Sequence, residues 1–251
     1  MLILENDTFR LHALDGYIAT LYLVEYPEKM LLLDGGCRCD ADTVVTYIKQ
    51  INRSIDDLKL IVITHPHPDH SGGAPQLQTL YNIPIAASLG INDWYRGLSG
   101  WLTQQTDILL TYYVARKKKR PWKDLRFPRS ISINYPIVAG KSLPLFPDWQ
   151  LLATPGHTTT DCSLVHKTES VAYLADLLIG LGSRYHPPYP IADPTRYRAS
   201  LDSISAEDIT HCLLAHHGLH TLDRSTFEQV KSKVSDRPQN HRNSIRGWFR
   251  C

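Results

Sequence analysis

A short apolar run, Leu60-Ile61-Val62-Ile63-Thr64, passes directly into His65-Pro66-His67-Pro68-Asp69-His70, and this junction constrains the chain more than any other stretch. The run is brief and rich in β-branched residues, which predicts a buried strand. Three imidazoles and a carboxylate within six positions form a metal-ligand cluster. His65 and His67, two apart in an extended loop, can share one ion. Asp69 and His70 are adjacent, cannot both face that way, and can reach a second ion beside the first. The prolines at 66 and 68 fix φ and reduce the entropy lost in holding the rings.

Short apolar strands and turns precede the cluster: Leu2 to Leu4, Tyr17 to Val24, and Met30 to Leu33, the last closed by Asp34-Gly35-Gly36. Ala41, Val44, Val45, Ile48 and Ile51 recur at helical spacing, with Asp40 able to cap the first turn. After His70, Ser71-Gly72-Gly73 allows close backbone approach beneath the cluster and leads into a helix from Ala74 to Tyr81. Ile83 to Ala87 is the next strand. From about Gly90 to Arg129 the alternation stops. That stretch holds Trp94, Trp101, Tyr112, Tyr113 and Trp122 and the basic run Arg116 to Arg120, and reads as a partly helical insertion over or beside the site. The aromatic residues either line an apolar substrate pocket or pack the insertion down.

Alternation resumes with Ile131 to Val138, Gln150 to Thr154, Cys162 to His166 and Val171 to Ala175. A loop from Leu181 ends in Asp193 as cap and Pro194 at the first helical position, with Tyr197, Leu201 and Ile204 as the apolar face. Cys212 to Ala215 then runs into His216-His217-Gly218, and a last helix carries Phe227, Val230 and Val234. The polar tail from Asp236 to Cys251 shows no period. One domain over all 251 residues, with an insertion at about 90–129, is the economical organisation.

Four ligands in one loop are too few for two ions, so others must come from later strand ends. Thr154-Pro155-Gly156-His157, Tyr173-Leu174-Ala175-Asp176 and Leu214-Ala215-His216-His217-Gly218 each put a donor at such an end. With these in place, the chain resembles the metallo-β-lactamase superfamily of metal-dependent hydrolases. Its H-x-H-x-D-H signature stands as His65, His67, Asp69 and His70, its D-x-G aspartate as Asp34, and its P-G-H-T histidine as His157. Its bridging aspartate stands as Asp176, and its final histidine before glycine as His217. The resemblance covers about residues 15–220. It implies a four-layer αββα sandwich, two mixed β-sheets flanked by helices.

The same resemblance implies His65, His67 and His157 on one ion, Asp69, His70 and His217 on the other, and Asp176 between them. The family usually has a small residue before the last histidine; here His216 stands there, so either imidazole could be the ligand, with His217 favoured because it directly precedes Gly218. Asp34 is expected to fix a ligand imidazole from behind. The cofactor so implied is a pair of divalent ions, zinc first, with iron or manganese as alternatives. Two ions clamping a water lower its pKa from about 15.7 toward 7 and make hydroxide at neutral pH, which Asp69 can orient as the catalytic carboxylate, and no serine or cysteine nucleophile is needed.

The expected activity is hydrolysis of a small ester, thioester or lactone. Three comparisons within the superfamily bear on substrate. True β-lactamases do not usually keep an aspartate at Asp176. Hydroxyacylglutathione hydrolases usually carry a longer helical C-terminal segment. Acyl-homoserine lactonases commonly place a tyrosine where Ile179 stands. The alternative is a phosphodiesterase or nuclease that uses the basic insertion to hold phosphates, although a net charge of +2 argues against a globally basic nucleic-acid binder. No stretch has the apolar length of a membrane span, and Met1 to Arg10 lacks a signal-peptide pattern. Five scattered cysteines without paired spacing read as reduced thiols. A cytoplasmic protein acting on a small molecule, away from membranes, is expected.

Overall fold

A computed structural model describes residues 1–239. Cys251 and the tail from residue 240 lie outside the described residues. The chain divides into two compact units, one of residues 1–137 with 144–146 and one of residues 138–143 with those from 147 onward.

The first unit is built on a seven-stranded sheet in the order β1 (Leu2–Glu5), β2 (Arg10–Asp15), β3 (Thr20–Glu25), β4 (Met30–Leu33), β5 (Leu58–Ile63), β6 (Ile85–Ser88) and β7 (Tyr135–Ile137). The first four strands pair antiparallel and the rest pair parallel. The parallel half requires crossovers. Helix α1 (Asp40–Gln50) supplies one, and α2 (Pro68–Ser71) with α3 (Ala74–Tyr81) supplies the next. Val44 and Ile48 of α1 and Ala74 and Leu77 of α3 meet Leu21, Leu23, Leu32, Ile61, Ile63 and Ile85 in one buried cluster. At roughly 25 cal/mol per Å² of apolar surface removed from water, this packing, not helix propensity, holds the short α3 in place.

The strand expected over Tyr17 to Val24 begins only at Thr20, because Tyr17 N donates to Asp40 Oδ1 at 2.7 Å and the backbone turns there. β2 was not expected: its polar residues Arg10, His12 and Asp15 break the apolar pattern, and the buried His12 is satisfied by Glu25 at 2.8 Å. Asp40 does not cap α1. Its carboxylate instead accepts from Tyr17 N and from Cys37 N, the latter at 2.8 Å, and burial raises its pKa to about 7.

The stretch read as an insertion contains a 21-residue helix, α4 (Gly97–Lys117). Gly100, Gln104, Asp107, Ile108, Thr111 and Ala115 form its buried face. Leu98, Trp101, Leu102, Leu109 and Tyr113 stay exposed. Tyr112 stacks on the exposed Trp122 with ring centroids 6.4 Å apart and packs against a buried cluster that includes Tyr17, Ile18 and Cys37, so part of the aromatic set packs the insertion down. The basic run divides: Lys118 Nζ donates to Ile18 O and Arg120 pairs with Asp15, whereas Arg116, Lys117 and Lys119 are exposed.

The second unit is built on a six-stranded sheet in the order β15 (Gly218–His220), β14 (His211–Leu214), β11 (Val171–Ala175), β10 (Cys162–His166), β9 (Phe146–Ala153) and β8 (Ser142–Leu143). Of these pairings, β11 with β14 is parallel. The crossover between them contains the hairpin β12 (Ile179–Leu181) and β13 (Arg184–His186) and the helix α5 (Pro194–Ser205). As expected, Asp193 caps α5, accepting from Thr195 N and Arg196 N. Tyr197, Leu201 and Ile204 of α5 and Phe227 and Val230 of α6 (Arg224–Ser232) cover Ala172, Leu174, Cys212 and Leu214. No helix among the described residues is long and apolar enough to cross a membrane.

Candidate metal centre

The donors after β4 and β5, and those after β11 and β14, stand just past the carboxyl ends of parallel-paired strands, the usual position of ligand sites in parallel α/β architecture, whereas His157 follows the antiparallel β9. In the first unit, Asp34 follows β4 and Thr64-His65 follows β5, strands paired through Leu33 and Val62. Asp34 is 1% exposed and accepts three hydrogen bonds of 2.7 Å each: Thr64 N to Oδ1, and Thr64 Oγ1 and His70 Nδ1 to Oδ2. With His70 Nδ1–H and the Thr64 hydroxyl hydrogen both directed at Asp34, two tautomers follow. His70 keeps its lone pair on Nε2. The Thr64 oxygen accepts from His65 Nδ1–H at 3.1 Å, which also leaves the lone pair of His65 on Nε2. Asp34 thus holds His70 directly and His65 through Thr64.

The ring centroid of His65 lies 4.9 Å from that of His67 and 4.0 Å from that of His70. Asp69 Oδ2 is 3.8 Å from His70 Nε2. All four donors are buried on α2 or the turn leading to it. The turn is held from below by Gly35 N donating to His70 O at 2.7 Å and Gly73 N to Gly36 O at 2.9 Å. A Cβ on Gly73 would sit 2.3 Å from Gly35 O, which is why the approach needs glycine.

In the second unit, His157 lies in the turn after β9. Its Nδ1 donates to Pro190 O at 2.6 Å, again directing Nε2 away from that support. Asp161 braces this turn, accepting from Gly156 N, Thr158 N and Thr158 Oγ1. Its carboxyl is raised by burial, against the lowering effect of His157 and these hydrogen bonds. Asp176 follows β11, where a register shift between Tyr173 and Ala175 and a positive φ of 49° at Ala175 re-aim the chain.

Asp176 Oδ2 is 3.8 Å from His157 Nε2, and Oδ1 is 3.3 Å from His216 Nε2. Each oxygen of one carboxylate thus faces a different imidazole. These spacings exceed a good hydrogen bond and suit two atoms binding one ion at bond lengths of about 2.0–2.2 Å. Together with the tautomers, this donor chemistry fits divalent metal.

His217 takes another environment. Its ring stacks on His220 with centroids 4.4 Å apart and an 8° interplanar angle, and Tyr185 meets it edge-on. Burial, then the neighbouring His220, lowers its pKa. The turn after β14 therefore directs His216, not His217, to Asp176. Among the described residues, His65, His67, Asp69, His70, His157, Asp176 and His216 each offer an atom to a group able to hold a metal ion. Sequence reasoning missed three supports: Thr64, Asp161, and Asp107 of α4, whose Oδ2 is 3.7 Å from His67 Nε2. Asp161 directly precedes a buried strand, the one local sign available; Asp107 had none.

A family model described as the metallo-beta-lactamase superfamily matches residues 14–233. A probable metallo-hydrolase of Bacillus subtilis is 27% identical over 175 residues, 67% of this chain and 64% of that protein. An N-acyl homoserine lactonase of Bacillus thuringiensis is 29% identical over 130 residues, 52% of this chain and 41% of the lactonase. Ribonuclease J 1 of Streptococcus pyogenes is 36% identical over 89 residues, 33% of this chain and 16% of the nuclease. The chain therefore spans less than two thirds of the length of these relatives. Among solved structures, a metallo-beta-lactamase family protein from Thermus thermophilus superposes with a TM-score of 0.67 at 20% identity, over 88% of this chain and 78% of that one. That likeness is one of fold, and it bears out the fold expected from the sequence.

Proposed function

Because the chain belongs to the metallo-beta-lactamase superfamily, we propose that it is a binuclear metal-dependent hydrolase acting on a small ester, thioester or lactone. The observation that carries this reading is the split of Asp176, with one oxygen at His157 and the other at His216. A carboxylate so divided suits two ion positions.

On the family's pattern, His65, His67 and His157 hold one ion, Asp69, His70 and His216 the other, and Asp176 serves both. His216 replaces His217 because of its position at Asp176. Two divalent ions, when bound, supply hydroxide at neutral pH and polarise the oxygen of the bond to be broken. Asp69 accepts a hydrogen bond from the attacking water and orients it. Asp34 and Thr64 hold His70 and His65 in the tautomers that present Nε2. A thiol nucleophile is disfavoured: Cys37 is buried, and desolvation first, then the charges of Asp69 and Asp40, hold it protonated far above the usual thiol range.

Zinc suits the imidazole-rich set, with iron or manganese as alternatives. The described cysteines, Cys37, Cys39, Cys162 and Cys212, are all free, which supports a reducing, cytoplasmic setting.

The test is a hydrolysis screen over lactones, thioesters, phosphodiesters and β-lactams, with metal content measured in parallel. Turnover of a lactone or thioester with two ions per chain, lost in Asp69→Ala, is expected. Full metal loading with no turnover of any ester class would refute the reading. A second reading, phosphodiester cleavage, draws on the match to a ribonuclease and on the exposed Arg116, Lys117 and Lys119. It requires cleavage that falls steeply with salt and is lost when those three are neutralised.

A further inference from the structure

Helix α4 faces the opposite way to an ordinary surface helix, with polar and small residues inward and large apolar ones outward. Gln104, Asp107 and Thr111 are 3%, 5% and 4% exposed, whereas Leu98, Trp101, Leu102, Leu109 and Tyr113 are exposed by 45% to 75%. Hydrogen bonds fix that orientation. Gln104 Nε2 donates to Phe127 O at 3.1 Å, Tyr95 Oη to Asp107 Oδ2 at 2.9 Å, and Thr111 Oγ1 to Asp107 O at 2.9 Å. Ile108 and Ala115 pack in the same direction, with Tyr17, Ile18 and Leu125. Gly100 holds the start of the helix down: a Cβ there would come within 2.1 Å of the Tyr95 carbonyl carbon.

At about 3.6 residues per turn, Leu98, Leu102, Leu109, Tyr113 and Arg116 share one outward stripe, about 27 Å long at roughly 1.5 Å per residue. An exposed apolar strip of that length marks an interaction site. The surrounding charge indicates what it meets. Residues 90–129 hold nine Arg and Lys against three Asp and no Glu, an excess of six, in a chain whose net charge is +2. None of the three carboxylates stands free on the stripe: Asp107 is buried, Asp124 pairs with Arg38 and Arg126, and Asp93 lies 3.7 Å from Arg96. Cations stand at both ends. Arg129 Nη1 donates to Gly97 O at 3.1 Å, and Lys117 Nζ sits 4.6 Å from the centre of the exposed Tyr113 ring.

We infer that the outward face of α4 docks on an anionic lipid surface. The leucines and Trp101 enter the boundary between headgroups and acyl chains, while Arg116, Lys117 and Lys119 meet the headgroup charges. No helix among the described residues is long and apolar enough to cross a membrane, so the contact is with the surface alone. A second copy is disfavoured, because a two-fold contact through this stripe sets one cationic rim against another. Single-stranded RNA would answer the charges and the rings but would leave the leucines in water. The inference does not depend on the metal centre.

The test is co-sedimentation of the full chain with vesicles of phosphatidylcholine alone and of phosphatidylcholine with roughly one third phosphatidylserine. Binding should be at least about tenfold tighter to the anionic vesicles and should weaken as salt is added. Arg116→Gln, Lys117→Gln and Lys119→Gln together should weaken it by roughly 100-fold, at about fivefold per cation. Leu102→Gln with Leu109→Gln, which keeps good helix formers on the stripe, should weaken it by roughly 10- to 100-fold and leave Tm unchanged. Trp101→Ala, a single exposed change, repeats the measurement if that double variant is destabilised.

Equal binding to both kinds of vesicle, or anionic binding that survives the leucine and Trp101 changes, would overturn the inference. A solution dimer that the leucine changes dissolve would assign the face to a second copy instead. Binding of single-stranded RNA without binding of vesicles would assign it to nucleic acid.

Discussion

Replacing Asp34 by asparagine tests how far one buried carboxylate supports the site. The change is nearly isosteric but removes the charge and one acceptor. If the amide oxygen takes the place of Oδ2, it keeps Thr64 Oγ1 and His70 Nδ1, and the amide nitrogen then faces Thr64 N–H, donor against donor. Two hydrogen bonds fall from charge-assisted to neutral strength, a loss of about 1 kcal/mol each, and leaving the Thr64 N–H unsatisfied costs about 1–3 kcal/mol more. The total is about 3–5 kcal/mol, a large part of the roughly 5–15 kcal/mol that stabilises a typical fold. At roughly 2–4 °C per kcal/mol for a chain of this size, Tm should drop by about 6–20 °C.

The measurement is urea and thermal unfolding of apo protein in excess chelator, so that metal linkage does not contribute. A second titration with metal should show affinity lower by roughly 10- to 100-fold, because His70 is no longer held by an anion. Thr64→Val, which removes the hydroxyl but keeps the backbone N–H bond, should fall between Asp34→Asn and wild type. Stability of apo Asp34→Asn within about 0.5 kcal/mol of wild type, the range of an ordinary surface change, would refute the reasoning.

Other substitutions probe separate links. His216→Ala should lose one bound ion while His217→Ala keeps both, measured by metal analysis after dialysis; the reverse pattern would return the ligand role to His217. Gly73→Ala should destabilise the turn or release it from Asp34-Gly35-Gly36, seen as lower Tm and weaker metal binding, since the added Cβ would overlap Gly35 O. Asp40 has a folded pKa of about 7 against an ordinary value of 3.8. Its protonated form is the one the fold favours, so its contribution is full below about pH 4 and is lost as pH rises to about 7. The stability of wild type relative to Asp40→Asn should therefore fall across that window by up to about 1.4 kcal/mol per pH unit. A flat difference in urea unfolding at pH 5 and pH 7.5 would show that Asp40 is not buried as described.

Much of the fold is legible locally because one face of each element is buried against one partner layer. Period-two and period-3.6 patterns revealed β4, β5, β10, β11, β14, α1, α3 and α5 to within a few residues. They failed at β2, where polar residues are buried in pairs, and at Asp40, whose capping role was displaced by donors from Tyr17 and Cys37. They also failed over the basic run, where Lys118 and Arg120 are taken up by partners about a hundred residues earlier.

The sequence by itself determined which donors are available and that they stand at strand ends: His65, His67, Asp69 and His70 on one turn, with His157 and Asp176 after later strands. These are consequences of spacing, which covalent geometry transmits over a few residues. Only the tertiary structure brought His216 Nε2 to 3.3 Å from Asp176 Oδ1 while stacking the neighbouring His217 on His220. Only it brought Asp107 to His67, since a contact across forty residues depends on how α4 packs on Tyr95 and leaves no local pattern in the chain.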